Sequence, residues 1–152
     1  MKIKDILPKD EIILNDSISN KKQLLELLAK SAAAKTKLDE RTILEALVER
    51  ERLGTTGVGR GVALPHTRLT GLKKIFCAFF RINPIDFEAV DGKLVDLVFL
   101  LLVPEEAGAD HLKALARLSR LLRNETVAAD LRKATKAAEI YKIIEENDKD
   151  DI

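Results

Sequence analysis

Apolar residues first recur at helical spacing at Leu24, Leu25, Leu27, Leu28 and Ala32, which predicts an amphipathic helix that Ser19 or Asn20 can cap. A second helix is expected to begin at Asp39, a good N-cap, with Leu38 before it and Ile43 placed for a hydrophobic staple. Its buried stripe would be Ile43, Leu44, Leu47 and Val48, and it should end near Arg52–Gly54. Four glycines in the eight residues Gly54–Gly61 predict an irregular loop. A short extended stretch, Val62–Leu64, follows and is stopped by Pro65. Lys74–Ile82 and Leu94–Val103 are almost unbroken apolar runs, the pattern of strands covered on both faces. Asp91-Gly92 reads as a tight turn joining a short Phe87–Val90 strand to the second run. Asp110 is expected to cap a third helix with Leu112, Leu115, Leu118, Leu121 and Leu122 on its apolar side. Two shorter helices, Glu125–Lys133 and Lys136–Glu146, close the domain, and the charged segment Asn147–Ile152 is expected to be a disordered tail. Helices before and after a run of strands imply one α/β domain over residues 1–146, a layered sandwich with a mixed β-sheet flanked by helices.

A length of 152 residues suits one domain, and 46% apolar residues are ample for its core. Lys plus Arg is 26 and Asp plus Glu is 25, a near-balance that argues against nucleic-acid binding. The lone Cys77 can make neither an internal disulfide nor a zinc site and fits a reducing compartment. The amino-terminal stretch lacks the apolar core of a signal peptide, and neither Ile75–Phe80 nor Leu97–Val103 can span a bilayer. These features predict a cytoplasmic protein with no membrane insertion.

Two histidines carry the candidate chemistry. His66 follows Pro65 at the mouth of the glycine loop, where the backbone is fixed and upstream amides can approach an anion as phosphate-binding nests do. His111 comes directly after Asp110, in a helical first turn that favours anions. A neutral imidazole is a competent nucleophile near pH 7. Each histidine alone also fits a solvated surface residue. Arg50, Arg52, Arg60 and Arg68 look like an anion-binding cluster, although Glu49 and Glu51 among them fit a solvated charged face equally well. Cys77 reads as an inert core thiol, and Asp96 as a polar residue near a strand start. The glycine loop is no Walker motif, since no Gly-Lys-Ser/Thr follows it, so a nucleotide-binding enzyme is disfavoured. No metal-ligand spacing occurs, and neither a metal nor a cofactor is expected.

The stretch ERERLGTTGVGRGVALPH, from Glu49 to His66, resembles the signature of the fructose/mannitol-type enzyme IIA domain of the bacterial phosphoenolpyruvate-dependent phosphotransferase system. Val95–Pro104 and His111–Leu122 are similar to the same domain, and the likeness runs from about Ile6 to Ile144. The wording Leu-Gly-Thr-Thr-Gly and Ala-Gly-Ala-Asp-His is most similar to the free-standing, nitrogen-regulatory branch. The resemblance implies that His66 takes a phosphoryl group from a histidine-containing phosphocarrier protein. It implies that His111 is the second active-site histidine and that Arg50 stands beside the phosphoryl group. Gly59, Arg60, Gly61 and Thr67 are the residues expected to contact phosphate or a partner. Two of them depart from the family pattern: Thr67 stands where a very small residue is usual, and Arg60 where Asn is common. The branch suggests a potassium transporter or a sensor kinase as regulatory partner. The alternatives are a transport component relaying phosphate to a separate IIB protein, and a binding module in which the histidine is only a switch.

Overall fold

The computed structural model describes residues 1–149. Two 3-10 turns, Ile3–Asp5 and Lys9–Glu11, lead into strand β1 (Ile12–Asn15). Helices α1 (Lys21–Thr36) and α2 (Glu40–Arg52) follow, then β2 (Gly57–Gly59), β3 (Val62–Ala63), β4 (His66–Leu69), β5 (Phe76–Ile85) and β6 (Val95–Pro104). Helices α3 (Asp110–Arg123), α4 (Glu125–Lys133) and α5 (Ala137–Asn147) complete the order. The strands form one mixed sheet in the order β1-β5-β6-β3-β2, with β4 also paired to β6. The β5–β6 pair is antiparallel, whereas β1 runs parallel to β5, and β3 and β4 run parallel to β6.

The two long strands are apolar on both faces because both are covered, as their composition predicts. Ala78, Phe80, Val98, Leu100 and Leu102 face α1 and α2, where they meet Leu24, Leu28, Ile43 and Leu47. Cys77, Phe79, Leu97, Phe99, Leu101 and Val103 face α3–α5 and meet Leu118, Leu131 and Ile140. Phe79 and Phe99 pack with ring centroids 4.8 Å apart. Helix starts follow local chemistry. Asn20 accepts from the Gln23 amide and Asp39 from the Thr42 amide, each satisfying a donor the helix leaves unpaired.

Several expectations need correction. β1 was not anticipated; its four residues form a strand because β5 offers an edge to pair with. The glycine stretch is not irregular throughout: β2 and β3 make a small antiparallel hairpin. Its two turn residues, Arg60 and Gly61, have φ of 60° and 80°, as a type I′ turn requires. Phe87–Val90 is not a strand. Glu88 at φ 57° breaks the extended run, yet Phe87 is fully buried and the Val90 amide donates to the Gly57 carbonyl. The Asp91-Gly92 turn is present, with the Gly92 amide bonded to the Ala89 carbonyl. Asp110 is the first residue of α3 and caps nothing, the N-cap being Ala109 without a side-chain bond. The predicted disorder does not begin at Asn147, which ends α5. Asp148 is buried, accepting from the Ile3 amide at 2.6 Å and from Arg117 at 2.9 Å; residues 150–152 lie outside the described residues.

β3 and β4 are in effect one strand interrupted at Leu64–Pro65, since both keep the same register against β6. Pro65 cannot donate to a ladder, which explains the interruption. The functional candidates gather where this broken strand meets α2 and α3.

Candidate functional site

His66 opens β4, and its register places it opposite Leu101, with Arg68 opposite Val103. Paired residues share a face, and Leu101 and Val103 point toward α3, so His66 and Arg68 do as well. β6 then leads through a short loop into α3, whose second residue is His111. Arg50 comes from the last turn of α2. The result is a cleft of about 330 Å³ lined by Arg50, His66, Thr67, Arg68, His111 and apolar residues of β6 and α3. Two histidines 45 positions apart in sequence thus share one concavity because a parallel strand pair and the next helix fold them together.

His66 is half-buried. Its Nδ1 donates to the Leu64 carbonyl at 2.7 Å, which leaves Nε2 as the ring nitrogen with a free lone pair. Burial pushes its pKa below the usual 6.5, and the neighbouring Arg50 guanidinium and His111 act in the same direction. The Leu64 hydrogen bond and the Glu51 carboxylate oppose this without reversing it. The ring is therefore neutral near pH 7, the state a nucleophile needs.

His111 is fixed from its other side: Nδ1 donates to the Gly108 carbonyl at 2.6 Å. Arg68 extends along the cleft. Its Nη1 donates to the Glu105 carbonyl at 2.8 Å, and its Nη2 lies 3.3 and 3.4 Å from the two ring nitrogens of His111. Arg50 donates to the Gly54 carbonyl at 3.0 Å, which holds its guanidinium at the end of its own helix. The cleft thus presents one imidazole lone pair, a second imidazole and two guanidinium groups. That donor-rich surround suits a group carrying negative charge.

Of the residues expected from sequence, the cleft brings together His66, His111, Arg50 and Thr67. Thr67 Oγ1 makes only a long bond, 3.4 Å, to the Arg68 carbonyl. Gly59, Arg60 and Gly61 lie outside the cleft. Gly59 and Arg60 line a neighbouring groove with Val58, Leu64 and Ser119. The Gly61 carbonyl accepts from the Asp96 and Leu97 amides. The expected amide nest is occupied internally, since the Arg60 amide donates to Asp91 and the Gly57 amide to Thr55. Arg60 stands at a left-handed turn position, where Asn is at ease and Arg is strained. Arg52 pairs with Glu49 and takes no part. Asp96 sits near the start of β6 and pairs with Arg132 at 2.9 Å, while Cys77 is fully buried with its thiol pKa pushed up.

Three contributors have roles that the sequence does not assign: Arg68 reads there only as one of a possible anion-binding cluster, Glu51 only as part of a charged face, and the Leu64 carbonyl not at all. Arg68 is two residues from His66, a spacing that reads as one face only once β4 is known to be a strand. The Leu64 carbonyl selects the His66 tautomer, a role no side chain announces. Glu51 is held by Lys21 at 2.9 Å and receives the Thr56 amide and hydroxyl, which pins the chain leaving α2 beside the cleft.

Comparisons with known proteins agree with this geometry. The family model described as phosphoenolpyruvate-dependent sugar phosphotransferase system, EIIA 2, matches residues 5–147. A nitrogen regulatory protein of Bradyrhizobium diazoefficiens is 52% identical over 145 residues, covering 95% of each chain. A nitrogen regulatory protein of Pseudomonas aeruginosa is 39% identical over 146 residues, again covering 95% of each. The crystal structure of nitrogen regulatory protein IIA-Ntr from Neisseria meningitidis superimposes with a TM-score of 0.88 at 38% identity, covering 92% of this chain and 97% of that one. No helix among the described residues is long and apolar enough to cross a membrane. The chain belongs to the EIIA type 2 family of the phosphoenolpyruvate-dependent sugar phosphotransferase system.

Proposed function

We propose that this protein is a regulatory phosphocarrier. His66 accepts a phosphoryl group from a histidine-containing phosphocarrier protein, and the phosphorylation state then governs which proteins bind. The observation that carries the reading is the 2.7 Å bond from His66 Nδ1 to the Leu64 carbonyl, which leaves Nε2 as the nucleophile. The Nε2 lone pair attacks phosphorus, the bond to the donor's imidazole breaks, and its electron pair returns to that ring. Such a transfer asks chiefly for positioning and charge stabilisation, which Arg50, Arg68 and His111 are placed to supply. The product ring keeps its Nδ1 proton against the Leu64 carbonyl. The ring leaves such a phosphoimidazolium as neutral imidazole, a good leaving group, so the phosphoryl group stays transferable and the modification reversible.

Phosphorylation adds roughly two negative charges at the cleft. The rim includes Leu112, which is 59% exposed, and Val58 at 52% stands over the adjoining groove beside His66. Such a surface binds a partner in one charge state and disfavours it in the other. The likeness to nitrogen regulatory proteins supports nitrogen regulation as the output; potassium or carbon regulation, through a potassium transporter or a sensor kinase as partner, belongs to the proposal.

The test is intact-mass analysis after incubation with phosphoenolpyruvate, enzyme I and a histidine-containing phosphocarrier. Wild type should gain one acid-labile phosphoryl group and His66→Ala none. Equal modification of both would overturn the assignment to His66. Rapid onward transfer to an added fructose-class IIB protein would make the chain a transport relay and overturn the purely regulatory reading.

A further inference from the structure

Arg68 is more than a wall of the cleft. Its guanidinium ties together three parts of the site that are distant in sequence. Nη1 holds the Glu105 carbonyl at 2.8 Å, just past the end of β6. Nη2 lies 3.3 and 3.4 Å from the two ring nitrogens of His111, which sets the guanidinium against the imidazole ring, while Nδ1 of that ring donates to Gly108. The segment 105–109 is thereby strapped to β4. A second strap is the bond from Thr70 Oγ1 to the Glu105 carboxylate at 2.8 Å. The segment's own bonds are few: Ala107 amide to Pro104 carbonyl, and Gly108 amide to Glu106 carbonyl.

The two groups that Arg68 contacts are neutral, a carbonyl that accepts its hydrogen bond and an imidazole ring. His66 lies two residues away on the same face of the same strand, about 7 Å along the chain, and lines the same cleft. A long arginine side chain covers that distance without backbone movement. A phosphoryl group on His66 Nε2 would offer dianionic oxygens, and charge-assisted bonds to such oxygens are about twice as strong as bonds to neutral acceptors. A guanidinium has five N–H donors in a fixed fork, so it can engage two phosphoryl oxygens at once when the fork turns toward His66 and away from the Glu105 carbonyl.

We propose that Arg68 exchanges partners when His66 is phosphorylated, leaving the Glu105 carbonyl and His111 for the phosphoryl oxygens and so loosening the segment 105–109, which keeps its Thr70 bond to the Glu105 carboxylate. The inference rests on the phosphocarrier reading and deepens it by naming the element that reports the charge state. The loosened segment adjoins Leu112, so the phosphorylated and unphosphorylated forms would present different surfaces at the cleft rim to a binding partner.

Hydrogen–deuterium exchange of the Ala107, Gly108 and Leu112 amides tests this, measured on one preparation before and after phosphorylation, with intact mass recording the phosphoryl content. In wild type these amides should exchange about tenfold faster once phosphorylated, as loss of one hydrogen bond to a charged group predicts. In unphosphorylated Arg68→Gln they should already exchange at that faster rate, while the amides of β5 stay protected, which separates loosening of the segment from loosening of the whole domain. A full mass gain with unchanged exchange at these three amides would overturn the exchange of partners and leave the phosphocarrier reading standing. No mass gain on His66 would overturn both.

Discussion

Gly57→Ala tests whether the hairpin beside the cleft rests on a rigid floor. A methyl group built at Gly57 would lie 2.8 Å from Ala89 Cβ, 2.9 Å from Ala89 Cα and 3.0 Å from the Phe87 ring. None of these atoms is the free end of a flexible side chain, and Phe87 is fully buried. Gly57 is outside the left-handed region, so the substitution carries no backbone penalty and the cost is steric. Overpacking of this kind costs about 1–3 kcal/mol. Pushing the chain apart also weakens the 3.0 Å bond from the Val90 amide to the Gly57 carbonyl, worth about 1 kcal/mol. A total of about 2–4 kcal/mol lowers the melting temperature by roughly 4–16 °C in a domain of this size. Calorimetry on Gly57→Ala, Ala89→Gly and the double variant provides the assay. Because Ala89→Gly removes the nearest atom, Ala89 Cβ, the double variant should recover about 1 kcal/mol relative to additivity. If Gly57→Ala melts within 1 °C of wild type, the Phe87–Val90 segment yields freely and the floor is not rigid.

Arg60→Asn should raise stability by about 0.5–1 kcal/mol, because an L-residue at φ 60° is strained and Asn least so; denaturant titration reads the gain. Burial pushes the Glu11 carboxyl up from its ordinary 4.5, so the folded state holds that proton more tightly than the unfolded chain does. Its contribution to stability is therefore largest at acid pH and is lost as pH rises through the folded value. Glu11→Gln should melt higher than wild type at pH 7 and no higher at pH 4, and an equal gain at both would refute this origin. The depressed His66 pKa works the opposite way, its stability term being present above 6.5 and lost as pH falls through the folded value. Initial phosphorylation rates should hold down to pH 6.5 and fall only below it; a midpoint above 6.5 would contradict a buried neutral imidazole.

What the sequence reveals about the fold depends on how far each element's pattern is self-contained. β5 and β6 are long and apolar on both faces, and α1 and α2 carry their own caps, so these are readable locally. β1 and β4 are four residues each, and β4 reads His-Thr-Arg-Leu, with no propensity of its own. They are strands because β5 and β6 offer free edges, a tertiary fact invisible in the local sequence. The site divides in the same way. Two histidines in distinctive contexts can be found by inspection. Arg68 needs the strand period to be known first, and the apparent phosphate nest at the glycines fails because the Arg60 and Gly57 amides already bond to Asp91 and Thr55.

The Pro-His pair has a structural logic that links these readings. β3 and β4 would form one ladder along β6 but for Pro65, whose missing N–H removes a rung. The chain still holds its line there, because the Leu64 amide donates to Thr56 and the Pro65 carbonyl accepts from Leu101. Leu64 faces the side away from β6, where its amide donates to Thr56, so its carbonyl takes no part in the β6 ladder and lies 2.7 Å from His66 Nδ1. That bond fixes the proton on Nδ1 and keeps Nε2 basic. It also holds the ring at the start of a strand whose next same-face residue is a guanidinium. The glycine hairpin supports the same end indirectly, by delivering the chain from α2 to β6 so tightly that Arg50 and His66 line one cleft.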